Sequence, residues 1–196
     1  TVAAVLKDCD IPAHVESNTG YFSSYEIQVI LSMLRILDNP LQDIPMAAVL
    51  ASPIVGMDDE ELAQIRSAFK GVSFAQAVLS AMAGEDGYED EKLKAFALVF
   101  ERLRGAVADT PIHELLYMML DETGFYRYAS AMPAGKRRRQ NIDMLIEMAA
   151  AYEKTSYKGL FHFVRYIDIQ QKYEIDYGEA DTAGENDDVV RIMTIH

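Results

Sequence analysis

Val189-Val190-Arg191-Ile192-Met193-Thr194-Ile195-His196 decides how the rest of the chain is read. Its dense β-branched and apolar residues have the composition of a buried parallel strand, which needs partner strands beside it and helices on both faces. The one other stretch of strand character is Ile11 to Glu16, closed by the polar turn Ser17-Asn18-Thr19-Gly20. Nearly everything between has helical periodicity. A mostly α fold is therefore expected: a helical domain inserted in an α/β domain, with short terminal strands. The final run then reads as the point where the chain re-enters a sheet belonging to a larger protein.

Helix signals are dense across the middle. Residues 1 to 9 fit the tail of a helix. Ser23-x-x-Glu26 has the form of a capping box, and Ile27, Ile30, Leu31, Leu34 and Leu37 follow at helical spacing, predicting a helix over 24–37. Asn39-Pro40 stops it, and Pro45 falls in the first turn of a second helix through about Ala51. Asp58-x-x-Glu61 caps a third over about 59–69, and Ser73-x-x-Gln76 a fourth that ends near Gly84 to Gly87. Residues 90–107 form a long amphipathic helix with Leu93, Phe96, Ala97, Phe100 and Leu103 on one face. Thr110-Pro111 opens the next, through Asp121; Lys136 to Lys154 and Tyr157 to Tyr173 complete the set.

Composition narrows the function classes. The 196 residues carry a formal net charge of −13 with 50% hydrophobic and 25% charged residues, ordinary for a chain that buries a core. Such a charge argues against a free-standing nucleic-acid binder, because phosphate contacts need Lys and Arg. The charge is uneven, however. Glu174 to Asp188 is acidic and reads as a solvated linker, whereas Lys136-Arg137-Arg138-Arg139 is compactly basic. No run of ~18 apolar residues and no basic-then-apolar leader is present, so no membrane partner is expected. The lone Cys9 cannot form an internal disulfide, which fits a cytoplasmic location. With His14, His113, His162 and His196 scattered, no metal-ligand spacing exists, and no catalytic Ser/His/Asp or Cys/His arrangement stands out. Asp58-Asp59-Glu60-Glu61 reads as a helix N-terminus that places negative charge against the dipole.

Val190-Arg191-Ile192-Met193-Thr194-Ile195-His196 resembles the first half of a motif that in UvrD-like DNA helicases runs roughly V-x-[IL]-[ML]-T-[IL]-H-x-[AS]-K-G-L-E-F. The front of the chain resembles the same family independently, through Ile11-Pro12-Ala13-His14-Val15, Gly20-Tyr21-Phe22, Glu26-Ile27, Leu34-Arg35 and Ser52-Pro53-Ile54-Val55-Gly56, in the family's order. Within that family, Asp38-Asn39-Pro40-Leu41-Gln42-Asp43-Ile44-Pro45 through Gly56, Asn141, and Gly159-Leu160-Phe161 through Ile167 are similar to the helicase/nuclease A subunits of the AddA/RexA type. The likeness runs from near residue 5 to residue 196 and is weakest over roughly 70–130.

The resemblance implies an organisation and a role. Residues 1–40 would be part of a RecA-like 2A domain, 41–188 a helical 2B-like insertion, and 189–196 the return strand of 2A. The parent would be an ATP-dependent DNA helicase and exonuclease acting in double-strand-break repair and recombination. Its partners would be DNA and an AddB/RexB-type subunit; ATP and magnesium would be cofactors of the parent. This chain has no G-x-x-x-x-G-K-[ST] phosphate loop and no Asp-Glu magnesium pair, so no cofactor, ATP hydrolysis or catalytic residue is expected of it alone.

Candidate DNA-contacting residues follow. The resemblance places Thr194 and His196 at the end of a 2A strand, near the single strand and the ATP-coupled interface. Gly20 and Tyr21 could present an aromatic platform, since base stacking is sequence-tolerant, while Phe22 reads as a hydrophobic staple onto Ile27. The turn at Gly56 resembles one that offers helix N-terminal amides to duplex phosphate, although Asp58 and Asp59 would repel it. Lys136, Arg137, Arg138 and Arg139 are the electrostatic candidate for DNA backbone or a partner, with a solvated helix start as the bland alternative. Two other identities stay open: a UvrD/PcrA-type helicase without nuclease, and a helical protein-interaction module with no DNA role.

Overall fold

The computed structural model describes residues 13–15, 20–155, 159–172 and 190–192. Strand β1, Ala13–Val15, and strand β2, Val190–Ile192, pair in parallel, with Ala13 opposite Val190 and Val15 opposite Ile192. The two ends of the described chain thus meet. Between them run α1 Tyr25–Asp38, α2 Asp43–Ala51, α3 Asp59–Ala68, α4 Phe74–Met82, a 3₁₀ turn Glu85–Gly87, α5 Glu91–Ala106, α6 Ile112–Thr123, α7 Phe125–Ala131, α8 Gly135–Tyr152 and α9 Leu160–Lys172. The mostly helical expectation holds, and strand among the described residues is confined to the two ends.

Helix α1 organises the core. The apolar stripe expected from its sequence is buried, and so are Val29, Met33 and Ile36 on its other sides. So broad an apolar surface belongs in an interior, and α1 packs against α2, α5, α8 and α9. Its C-terminus ends at Asn39, where Pro40 cannot continue the hydrogen-bond ladder. Asn39 Oδ1 accepts from the Leu41 amide at 3.1 Å, and Gln42 Nε2 donates to the last-turn carbonyl of Arg35 at 3.2 Å. Asp43 Oδ1 then accepts from the Ala75 amide at 2.9 Å, tying the start of α2 to the first turn of α4. The Asn39-Pro40-Leu41-Gln42-Asp43 run is a brace between three helices.

Two capping boxes stand where the spacing puts them. Asp58 with Glu61 opens α3, and Ser73 with Gln76 opens α4, each with both reciprocal bonds. The box expected at Ser23 and Glu26 does not form. Ser24 is the N-cap of α1, Ser23 Oγ donates to the Gly20 carbonyl, and the Glu26 carboxylate is taken by residues of α8. Helix α7 is an element that the periodicity leaves out. Gly124, at φ 66, closes α6 in the left-handed conformation and lets a new seven-residue helix start at once, burying Phe125 and Ala129. The helical tail of residues 1–9 lies outside the described residues.

Candidate nucleic-acid interface

The basic run forms the first turn of α8, where the helix dipole disfavours cations. What places it there is a close approach. A Cβ on Gly135 would lie 1.9 Å from the Ser130 carbonyl oxygen, so α8 starts hard against the end of α7 and only glycine fits. Ala134 precedes it in the left-handed region at φ 59, strain that a non-glycine residue accepts only where packing holds it.

The four cations are not equivalent. Arg138 pairs with Glu26, a carboxylate only 2% exposed in the first turn of α1, and its Nε donates to the Pro133 carbonyl at 3.0 Å. Asn141, itself buried, donates from Nδ2 to the other Glu26 oxygen at 2.7 Å, and its own carbonyl accepts from the Tyr21 hydroxyl at 3.0 Å. A buried carboxylate survives without water only when both oxygens are hydrogen-bonded and its charge is met. Glu26, Arg138, Asn141 and Tyr21 therefore form one internal node that stitches the 20–24 turn and α1 to α8. Lys136, Arg137 and Arg139 are exposed. Of the four candidate cations, Arg138 is the one engaged inside, on Glu26 and the Pro133 carbonyl.

Tyr21 is fully buried, with its ring edge-on to Phe22 at 5.0 Å and Phe22 itself buried in the same core as Ile27. In this structure it offers no open face to a base. Gly20, at φ 125, shapes the turn, and its carbonyl accepts from the Ser23 amide at 3.1 Å. Thr194 and His196 lie outside the described residues.

The Ser52 to Met57 turn is closed upon itself. The Ile54 amide donates to Ser52 Oγ at 3.2 Å, those of Val55 and Gly56 to the Ser52 carbonyl at 3.1 and 2.7 Å, and that of Met57 to the Leu50 carbonyl at 2.9 Å. The Asp58 amide goes to Glu61 Oε2 at 2.8 Å. Lys92 of α5 seals the outside, donating to the Gly56 carbonyl at 2.8 Å and to both Glu61 oxygens at 2.7 Å. The Lys92 hydrogen bond holds the Glu61 carboxyl below its ordinary range, and Glu61 in turn raises the Lys92 ammonium. Each turn amide is occupied, so a phosphate at Gly56 would have to displace an internal acceptor.

Sequence reasoning missed the Glu26 node and a second one, in which Glu153 at the end of α8 accepts from the Ile112 amide and bonds His113 Nδ1, capping α6. Pairs this distant leave no spacing signal; only the capping-box misreading of Glu26 marked it as more than a surface acid. Among the described residues no group of three or more His, Cys, Asp or Glu could hold a metal ion. No helix of the described residues is long and apolar enough to cross a membrane.

Fold and site together define a helical domain braced by internal polar nodes, with an exposed basic corner. No family model matches the chain. It is 42% identical over 95% of its length to the A subunit of the ATP-dependent helicase/nuclease of Anoxybacillus flavithermus, 43% over 97% to that of Bacillus cytotoxicus, and 39% over 100% to that of Oceanobacillus iheyensis. The chain is thus homologous, along nearly all of its length, to one segment of the ATP-dependent helicase/nuclease A subunits. It spans 16% of the length of these curated relatives.

Proposed function

We propose that this chain is an accessory, DNA-engaging region of an ATP-dependent DNA helicase/nuclease, within its A-type polypeptide, and serves double-strand-break repair and recombination. The observation that carries the reading is the identity of 39–43% with such polypeptides along nearly the whole chain. ATP and magnesium belong to the parent protein, and its partners are DNA and a second subunit of the AddB/RexB type. Residues 1–40 and 189–196 belong to a RecA-like 2A domain and 41–188 to a 2B-like insertion. The parallel pairing of β1 with β2 supports an insertion, since the helical stretch leaves and returns at neighbouring strands of one sheet. Helix α1, which the boundary at residue 40 puts in the first segment, packs against helices of the second.

The test is direct. The purified chain should bind a partial-duplex DNA weakly at low salt, lose it steeply as salt rises, and hydrolyse no ATP above a blank preparation. DNA-stimulated ATP hydrolysis by the chain, or no binding even at the lowest salt, would refute the reading.

A further inference from the structure

Two exposed tyrosines lie near the basic turn of α8. Tyr25, 43% exposed, immediately precedes Glu26, whose carboxylate holds Arg138, so it lies along the edge that carries the basic run. Tyr128, 46% exposed on α7, stacks on the buried Phe125 ring at 6.3 Å with planes 17° apart, which fixes its orientation from behind. Burial raises the Tyr25 hydroxyl most, Tyr128 raises it further, and Arg138 opposes the change. The Tyr25 hydroxyl thus stays neutral near neutral pH.

Glu26 is buried on Arg138 and Asn141, Asp143 accepts from the Tyr126 hydroxyl at 3.2 Å, and Asp121 faces Arg127 at 3.6 Å. Lys136, Arg137 and Arg139 stay exposed at this corner, so a chain that is acidic as a whole is locally basic here. Phosphate contacts are open to both duplex and single strand. Open aromatic faces tell the two apart, because a duplex keeps its base faces stacked inside while an unpaired strand offers them.

We propose that the α7–α8 corner binds single-stranded nucleic acid, with phosphates on Lys136, Arg137 and Arg139 and bases stacked on Tyr25 and Tyr128. The inference rests on the DNA-engaging reading and moves the aromatic platform from Tyr21, which is interior, to two tyrosines that are not. It also leaves Arg138 out of the contact.

Fluorescence anisotropy at low salt, with a labelled oligo-thymidine strand and a blunt duplex of equal length, tests it. Replacing both rings, Tyr25→Leu with Tyr128→Leu, should weaken oligo-thymidine binding at least tenfold, as expected from ~1–3 kcal/mol per stacked base, and leave duplex binding within twofold. Tyr25→Phe with Tyr128→Phe should bind as the parent does. Arg137→Gln with Arg139→Gln should weaken both forms and lower the single-strand salt slope by ~1.4, at ~0.7 per contact. Ultraviolet crosslinking of the unaltered chain to oligo-thymidine, mapped by mass spectrometry, reads the site without any variant and should mark the peptides holding Tyr25 and Tyr128. Crosslinks confined elsewhere, or leucine variants that bind like the parent, overturn the proposal while DNA engagement stands. Duplex binding without oligo-thymidine binding does the same. Failure to bind either form sinks both.

Discussion

Removing Arg138 should destabilise the fold far more than removing its two arginine neighbours. Glu26 is 2% exposed and its charge is met by Arg138, whose own side chain is 22% exposed. In Arg138→Ala the carboxylate keeps the Asn141 bond at 2.7 Å but loses its counter-charge. Breaking a buried pair from one side costs ~3–5 kcal/mol; the retained Asn141 bond and some water entry through the vacated space put the expectation near the lower end, ~3 kcal/mol. For a chain of this size that corresponds to ~6–12 °C in Tm, at ~2–4 °C per kcal/mol. Arg137→Ala with Arg139→Ala should stay within ~0.5 kcal/mol of the parent, as surface changes do. Adding Glu26→Gln to Arg138→Ala should recover much of the loss, because it removes the buried charge. Urea unfolding followed by far-UV circular dichroism supplies all four free energies. If Arg138→Ala unfolds at the same urea concentration as the Arg137, Arg139 double variant, the internal node is not what holds α1 to α8.

Other consequences can be checked separately. Gly135→Ala should lower stability by at least ~2 kcal/mol, because its methyl group would meet the Ser130 carbonyl at 1.9 Å and backbone must move to admit it, an overpacking cost; thermal melts decide. Tyr21→Phe should cost ~1 kcal/mol through loss of the bond to the Asn141 carbonyl, with no change in DNA affinity; a DNA-binding defect in a folded Tyr21→Phe chain would return Tyr21 to the interface. The depressed Glu61 carboxyl adds stability that is present above its unfolded pKa and lost as pH falls through its folded one, and Lys92→Met should bring its titration back up toward the ordinary carboxylate range in an NMR pH series. An unmoved Glu61 titration would show that Lys92 does not seal the Ser52 to Met57 turn.

How much of this was legible in the chain depends on how far apart the interacting residues lie. Helix identity, the stops at Asn39-Pro40 and the boxes at Asp58 and Ser73 rest on partners within one turn, so residue type and spacing carry them. The strand character of the two ends and their likeness to a helicase family are legible for a related reason, since β-branched density and motif order are properties of the linear chain. Composition also marked Lys136 to Arg139 as basic. It could not say which of the four faces outward. Glu26 and Arg138 are 112 positions apart, and Tyr21 and Asn141 are 120 apart. Only the packing of α1 against α8 made a capping candidate into a buried acid and a surface arginine into its counter-ion. The same packing took Tyr21 inside and left Tyr25 and Tyr128 on the surface: burial follows from which helix faces meet, and a sequence records the faces but not their meeting.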